Sequence, residues 1–533
     1  MTLMEFKSLL PNEMAVKYSE LVAKKKSFMD SMVNRNREDV KINWLLWKQQ
    51  QSQLMELYDR DSSEVVRLID YISFKLNCLV EQNENRIPID INLVVEELLK
   101  LELLVEEKRL PLLSAMPKLA VKSKKMPPKV MYKKDGSLSN AGDNWYRFLE
   151  EQGLPEETEG VVEYVSSFEV PNPDSTTQIK DWLYSLGWIP QHSKFQRNKV
   201  TGEVKQIPQI KSEQDPTDIC DSIKDLIEVE PNIEYLASYS TIKHRTTILK
   251  GFINEIDTNC KVQADALGFS NTFRLKHRKI VNLPKPSAPY AENIRACLVA
   301  GEGNYMIGAD LSGIEDNTKL HYIYPFDPEY VKTMQSDDWD SHLDIAIRAK
   351  LLTQEQADEH KAGTANYKEE RSKAKAVNFA STYGVGAKTL ARNMKCAEKE
   401  AKRILDVYWE RNWAVKKFAE SCSIKTVNNE MWVQQPISGF WISLRSAKDI
   451  FSSVNQSSAV YVFDTWVRYL RQSGLKISLQ MHDEVMSIIS KEVGEQITRE
   501  LIMSAMDRVN EELKLNIEIK CSLDFGYNYK DVH

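Results

Sequence analysis

Residues Arg371 to Gly384 read RSKAKAVNFASTYG, and their spacing predicts a helix with one chemically distinctive stripe. Arg371, Lys375, Phe379 and Tyr383 recur every fourth position. At ~100° per residue each step drifts by only ~40°, so the four side chains share one face within ~120°. Two cations come first and two aromatic rings follow. The pattern stops at Gly384-Val385-Gly386, where glycine can end a helix. Two cations one turn apart can hold a polyphosphate, and a ring one turn further on can pack against a sugar or a base. The order suits a nucleoside triphosphate gripped lengthwise. A plainer reading is an amphipathic helix whose Arg and Lys stems cover apolar surface.

Two acids lie on either side of this stretch. NYMIGAD (304–310) reads as a short buried strand ending on Asp310, with a helix following from about Ser312. KISLQMHDEVMSIIS (476–490) alternates apolar and polar residues around His482-Asp483-Glu484, the signature of a hairpin with acids at its tip. Each acid alone has a structural reading, Asp310 as a helix-flanking acid and Asp483 as a turn acid. Together they offer what magnesium takes: few carboxylates, with open positions for phosphate oxygens. Two such ions ~3.5–4 Å apart stabilise the attacking and leaving oxygens of phosphoryl transfer.

Composition sets the frame. A chain of 533 residues, 42% hydrophobic and 28% charged, is long enough for several domains with real cores. No apolar run approaches the ~18 residues of a membrane helix, and MTLMEFKSLLPNEM has no signal-peptide pattern. The seven cysteines are scattered without CxxC spacing, which speaks against a disulfide framework or structural zinc and fits a reducing cytoplasm. The formal charge of −6 gives no global sign of nucleic acid. Lysines crowd 118–134, however, and cations crowd 274–285, which favours a polyanionic partner. Residues 1–75 read as charged helices and 76–116 as long amphipathic ones. KSKKMPPKVMYKKDGS reads as an exposed loop, Ser175–Gln178 as a capping box, 190–215 as loop-like, 218–258 as helical, and LNIEIKCSLDFG as a final strand.

DLSGIE (310–315), RSKAKAVNFASTYG and MHDE (481–484), in this order, resemble motifs A, B and C of family A DNA polymerases, the group of bacterial DNA polymerase I and many bacteriophage replicative enzymes. Weaker matches are Thr272-Phe273-Arg274, Asn282-Leu283-Pro284, Asp340-Ser341-His342, Asn455-Gln456 and a tail ending at His533. The likeness is specific over 271–533 and looser over 76–270. It implies a multidomain α+β right hand, with an antiparallel-sheet palm, helical fingers and a helical thumb. The expected layout is an N-terminal helical segment over 1–75, which is either a remnant of an exonuclease domain or a docking surface for a separate nuclease. Thumb and connection follow over 76–290, palm over 291–345 and 441–533, and fingers over 346–440.

The resemblance also implies roles. Asp310 and Asp483, with the Leu311 carbonyl, would hold two Mg2+ ions, for which Mn2+ can substitute, and Glu484 would stand near them. Arg371, Lys375 and His342 would bind the triphosphate, with Lys375 protonating the leaving pyrophosphate. Phe379 would pack on the incoming sugar and Tyr383 near the templating base. Arg274, Gln456 and His482 would face primer-template DNA, and Lys124 and Lys125 would meet duplex phosphates. Glu315 has two readings, a gate against ribose and the acid of a capping box with Ser312. The implied partners are primer-template DNA, deoxynucleotides and a separate exonuclease or processivity protein, in the cytoplasm of a host if the chain is phage-encoded.

Asp316-Asn317 and Gly313 depart from the usual motif A and point toward a phage-like member. Rival readings are a single-subunit RNA polymerase, opposed by Glu315 with Phe379, and an inactive nucleic-acid-binding protein, opposed by retention of both aspartates and both cations. No Asp before residue 240 has Glu two places on, so no proofreading nuclease is expected in this sequence.

Overall fold

The computed structural model describes residues 12–532 apart from 199, 200, 214, 216, 281, 282, 337, 338 and 395. Asn282, His533 and the opening 1–11 stretch lie outside the described residues. The chain is α+β and divides into two compact units, Met1–Arg86 with Ala264–Val281 and Ile307–Phe525, and Ile87–Gln263 with Asn282–Met306 and Gly526–His533.

The first unit is built on a four-stranded sheet. Its strands are β1 (Asn304–Leu311), β2 (Ile477–Met481), β3 (Glu484–Ser490) and β4 (Cys521–Gly526), in the order β2-β3-β1-β4. Met306, Ile307, Ala309 and Leu311 are buried without alternation, as expected of a strand covered on both faces. Helix α1 (Ile314–Ile323) follows β1.

Next come α2 (Ser341–Arg348) and α3 (Lys368–Thr382), the helix predicted from RSKAKAVNFASTYG. Ala374, Val377 and Ser381 of α3 are buried at helical spacing. Ala374 and Val377 pack with Leu343, Ala346, Leu390, Ile404 and Tyr408, so the face bearing Arg371, Phe379 and Tyr383 is left outward. Helix α4 (Ile450–Gln472) is buried on nearly every side. Its serines let neighbours approach closely: Ser458 Oγ lies 2.5 Å from Tyr322 Oη and accepts from Gln435 Nε2 at 2.7 Å.

The N-terminal residues give a helix over Asn12–Leu57 and a second over Ser62–Asn85. Asp61 caps the second, accepting from Ser63 N–H at 2.9 Å, and Asp59 pairs with Lys425 at 2.7 Å. The second helix is fixed by a buried ion pair, Lys75 Nζ to Asp464 Oδ2 at 2.5 Å, which Tyr71 Oη joins.

In the second unit the helices Ile91–Ala115 and Tyr239–Glu255 pack together. The polypeptide between them corrects several expectations. Lys122–Lys125 do not lie in a loop: Leu119–Lys125 is a strand paired antiparallel with Val162–Glu169. Residues 190–215 contain a hairpin, Ser193–Arg197 with Val204–Pro208. Their polar residues concealed it because neither face is fully buried, so no apolar alternation was required. Only half of the 175–178 capping box forms. Ser175 accepts from Gln178 N–H at 3.4 Å, but the Gln178 side chain turns to Asn172 N–H at 2.7 Å. In the first unit the final strand starts at Cys521 and not at Leu515. All seven cysteines are free thiols. Among the described residues no helix is long and apolar enough to cross a membrane.

Candidate active site

Asp310 arrives near the end of β1 and Asp483 at the turn between β2 and β3. Met481 pairs with Glu484, leaving His482 and Asp483 as a two-residue turn. His482 takes φ +59°, a left-handed conformation that tight hairpins need and that histidine enters more readily than most residues. Because β1 lies beside β3, the turn that carries Asp483 stands next to the strand that carries Asp310. Leu311 N–H donates to the Asp483 carbonyl at 3.0 Å, tying the end of β1 to the hairpin tip. Both aspartates are half-buried, and Glu484 beside them is buried.

Among the described residues no group of three or more His, Cys, Asp or Glu side chains could hold a metal ion. The donor set is two carboxylates and a backbone carbonyl, all hard oxygens. That is too few, and too hard, for a closed zinc site. It suits an ion such as magnesium that keeps positions for water and phosphate.

Helix α3 supplies the second group. Arg371 Nε donates to Asp340 Oδ2 at 2.7 Å. Asp340 also caps α2, accepting from His342 N–H at 2.8 Å and Leu343 N–H at 3.0 Å. Burial raises the Asp340 pKa, but Arg371 and the two N–H groups outweigh it and hold the pKa below the usual carboxylate value. Lys375 makes no ion pair among the described residues, and its ammonium stands 5.8 Å from the Phe379 ring centre.

His342 is lowered in proton affinity, first by burial and then by Arg371 and Lys375, against the opposing pull of Asp340 and Asp316. Asn378 holds it: Nδ2 donates to the Ser341 carbonyl at 3.0 Å and lies 2.9 Å from His342 Nδ1. With the amide as donor, the imidazole carries its proton on Nε2. Phe379 is 52% and Tyr383 42% exposed, so both rings are available to a ligand.

A third group surrounds Glu315. Tyr383 Oη donates to Glu315 Oε2 at 2.6 Å, and Arg274 Nη1 donates to Oε1 at 3.3 Å. Arg274 Nε donates to His482 Nδ1 at 3.0 Å. Burial, and then Arg274, pushes the His482 pKa down to about 4, so its ring is neutral at pH 7. The Tyr383 pKa is raised by burial and by the bond to Glu315, while Gln456, which also bonds Tyr383, opposes the shift.

The capping box at Ser312 is overturned. Gly313 at φ +56° is the N-cap, without a side-chain bond, and Ser312 N–H donates to the Lys520 carbonyl at 3.0 Å. The Glu315 side chain is therefore free to serve Tyr383 and Arg274. Asn317 donates to the Ser312 carbonyl at 2.8 Å, which gives that departure from motif A a local role.

In the second unit Lys124 pairs with Glu163 at 2.8 Å, and Lys125 lies 4.1 Å from the Phe148 ring centre. The sequence reading missed Asn378, which sat unremarked inside the quoted stretch. It also missed the grip on the Glu315 backbone: Asn455 Nδ2 donates to that carbonyl at 2.9 Å and Thr318 Oγ1 bonds Asn455 Oδ1 at 2.9 Å. Polar positions three or four from a motif residue on the same helix were the available signal.

Known proteins resemble the chain in sequence and in fold. DNA polymerase I of Lactococcus lactis subsp. cremoris is 26% identical over 326 residues, 57% of this chain and 35% of its own length. DNA polymerase I of Caldicellulosiruptor bescii is 24% identical over 412 residues, 71% of this chain and 45% of its own. The chain thus spans less than half the length of these relatives. The solved POL domain of Pol1 from M. smegmatis, in complex with DNA primer-template and dNTP, is similar in fold. Its TM-score is 0.54 at 18% identity, covering 86% of this chain and 69% of that one. Residues 156–531, more than half of the sequence, match DNA polymerase family A, and the chain belongs to that family.

Proposed function

We propose that this chain is a template-directed DNA polymerase that adds deoxynucleotides to a primer 3′-OH with release of pyrophosphate, as phage replicative members of the family do. The observation that carries the reading is that Asp310 on β1 and Asp483 at the turn before the neighbouring β3 are drawn together by the Leu311–Asp483 backbone bond. In this reading residues 76–290 form the thumb and its connection, 291–345 and 441–533 the palm, and 346–440 the fingers. Residues 1–75 remain as a remnant of a nuclease domain or a docking surface for a separate nuclease or processivity protein.

Asp310, Asp483 and the Leu311 carbonyl would hold Mg2+, with Mn2+ as a substitute. Bound there, the metal supplies charge stabilisation of the attacking and leaving oxygens of an in-line displacement. Arg371, Lys375 and the Nε2–H of His342 bind the triphosphate, and Lys375 delivers a proton to the leaving pyrophosphate. Phe379 packs on the sugar, Glu315 walls off the 2′ position, and Tyr383 stands at the templating base. Arg274, Gln456 and His482 hold primer-template, and Lys124 and Lys125 meet duplex phosphates. Such contacts position DNA without reading its sequence.

Divalent-dependent extension of a labelled primer tests this. Extension with deoxynucleotides and a DNA template is expected, and binding without extension overturns it. We also propose that the chain does not excise mismatches. Asp59-Arg60-Asp61, the nearest acidic pattern before residue 240, is occupied by Lys425 and by a helix cap. A mismatched 3′ end incubated with magnesium and no nucleotides should stay intact. Its removal by a pathway lost in Asp61→Ala but kept in Asp483→Ala would reverse that conclusion.

A further inference from the structure

Asn378 sits on α3 between the buried Val377 and the exposed Phe379, where α3 packs on α2. A side-chain amide has two ends of opposite character, and its neighbours decide which end faces them. One neighbour is the Ser341 carbonyl, 3.0 Å from Asn378 Nδ2. A carbonyl can only accept, so it selects the nitrogen end. The other N–H of that nitrogen is left for His342 Nδ1, 2.9 Å away. Nδ1 must then accept as well, and the ring proton stays on Nε2. One backbone carbonyl thus sets the polarity of an imidazole through a single amide.

Both partners are held in place. His342 N–H donates to Asp340 Oδ1 at 2.8 Å, which fixes the histidine backbone in the first turn of α2. The Asn378 carbonyl accepts from Thr382 Oγ1 at 2.9 Å, and that oxygen lies 2.9 Å from the hydroxyl of the buried Tyr408. The same arrangement bears on charge. An imidazolium carries a proton on Nδ1 too, and this proton would meet the Asn378 N–H with no acceptor between them. The charged groups around the ring pull both ways. Arg371 and Lys375 on α3 oppose a positive ring, Asp340 at the start of α2 and Asp316 on α1 favour it, and burial opposes it most of all. A hydrogen bond made only to the neutral form adds to that side.

We propose that Asn378 is a positioning residue for the triphosphate, keeping His342 uncharged and in the Nε2–H tautomer so that the ring meets a phosphate oxygen as a neutral donor. The inference rests on the polymerase reading for the identity of the ligand, and it gives a role to a residue that the cation–aromatic stripe leaves out. A neutral donor has a use beside Arg371 and Lys375. It orients the phosphates but holds them less tightly than a third cation would, which favours departure of pyrophosphate. Nucleotide binding also becomes independent of ring titration near neutral pH.

Asn378→Asp reverses the polarity at the ring. The carboxylate draws the ring proton to Nδ1 and favours the imidazolium, so the His342 pKa rises. Above that raised pKa the neutral ring turns a lone pair on Nε2 toward the phosphates, and below it the Nε2–H returns. The test is the dNTP KM in primer extension from about pH 6 to about pH 9, taken as a ratio to the parent so that the nucleotide's own titration cancels. For Asn378→Asp the ratio should climb roughly tenfold with rising pH, the worth of one hydrogen bond to a charged group. For Asn378→Leu, whose histidine has lost its tether, the ratio should be raised and flat. In a His342→Ala background neither substitution should raise KM further, because Asn378 acts through the ring. A flat ratio for Asn378→Asp, or losses that add to those of His342→Ala, overturns the proposal and leaves Asn378 as a packing contact between α2 and α3.

His342 protonation is followed separately by residue-resolved carbethoxylation, which modifies only an imidazole nitrogen with a lone pair and needs neither nucleotide nor turnover. Its midpoint at His342 should rise by about one to three pH units in Asn378→Asp, and an unmoved midpoint overturns the assignment. Should Asn378→Asp fail to fold by circular dichroism, Asn378→Leu and His342→Ala, singly and together, carry the test, and additive losses in KM decide against the proposal. A parent whose His342 responds to Asn378 in this way but that cannot extend a primer contradicts the polymerase reading and leaves the Asn378–His342 assignment standing.

Discussion

The polar groups of the motif site and the cations of the second unit use charge in opposite ways. Around α3 and the hairpin tip several polar side chains are held by a neighbour: Arg371 has Asp340, Arg274 has Glu315 and His482, and Tyr383 has Glu315, while Lys375 makes no ion pair among the described residues. On the hairpin Ser193–Arg197 with Val204–Pro208 of the second unit, Lys194 and Lys205 share one face, and neither forms an ion pair among the described residues. A site that must hold reacting atoms in place needs each side chain oriented by a neighbour, so that little reorganisation remains for the reaction. A surface that only holds a backbone needs density of charge, and fixed partners would reduce its attraction. The two regions should therefore break differently under substitution, sharply in the first and gradually in the second.

The largest effect belongs to the aspartates. Asp310→Ala or Asp483→Ala should lower primer extension by about a thousandfold or more, ~4 kcal/mol in the barrier, while DNA binding survives. Near-normal extension by Asp483→Ala removes the metal assignment and with it the contrast between the regions. Next is Phe379→Tyr. The family pattern implies that a ring lacking a hydroxyl leaves the pocket dependent on the nucleotide's own 3′-OH. A supplied hydroxyl worth ~1–3 kcal/mol should raise the use of dideoxynucleotides by roughly ten- to a hundredfold. Equal termination by both proteins means that Phe379 does not face the sugar.

Glu315 follows. Shortening it to Ala opens the space that a ribose 2′-OH would enter, and ribonucleotide use should rise about tenfold, the range of discrimination by shape alone. Glu315→Gln keeps the bulk and loses the charge that Tyr383 and Arg274 share. Discrimination that survives in Gln and falls in Ala identifies a steric gate. Discrimination lost in both points to the ion pair with Arg274.

Legibility in the sequence followed the same division. Stripe, strand end and hairpin tip were readable because each is local, with chemistry and periodicity in one short segment. The stripe was readable as Arg371, Lys375, Phe379 and Tyr383, and the structure turns the buried positions Ala374, Val377 and Ser381 to the opposite side. Long-range partners were not readable. Glu315 looked like a capping acid because Ser312 precedes it at the right spacing, yet Ser312 N–H meets Lys520 from a distant part of the chain. Asp464 and Lys75 form a buried pair across 389 residues of sequence, which no window reveals. The hairpin of Lys194 and Lys205 escaped because its two faces are both solvated, and only the pairing register places its two lysines on one face.

The smallest expected effect concerns the lysines that were most conspicuous in the sequence. Lys124 and Lys125 sit in the crowded 118–134 stretch, which marked them as DNA contacts. Their charges are partly engaged, Lys124 by Glu163 and Lys125 over Phe148, and an exposed ion pair such as the first is worth only ~0.2–1 kcal/mol. Contact with a phosphate would exchange one modest partner for another. Lys124→Gln with Lys125→Gln should therefore weaken primer-template binding only a fewfold, and the salt slope should change by about one unit or less. Glu163→Gln is the sharper partner experiment, since it releases Lys124 without removing it. If the pair restrains Lys124, affinity should rise slightly at low salt, and the gain should vanish as salt screens the lysine. A large effect of the lysine pair would mean that density of cations in the sequence predicts DNA contact even where the fold gives those cations partners.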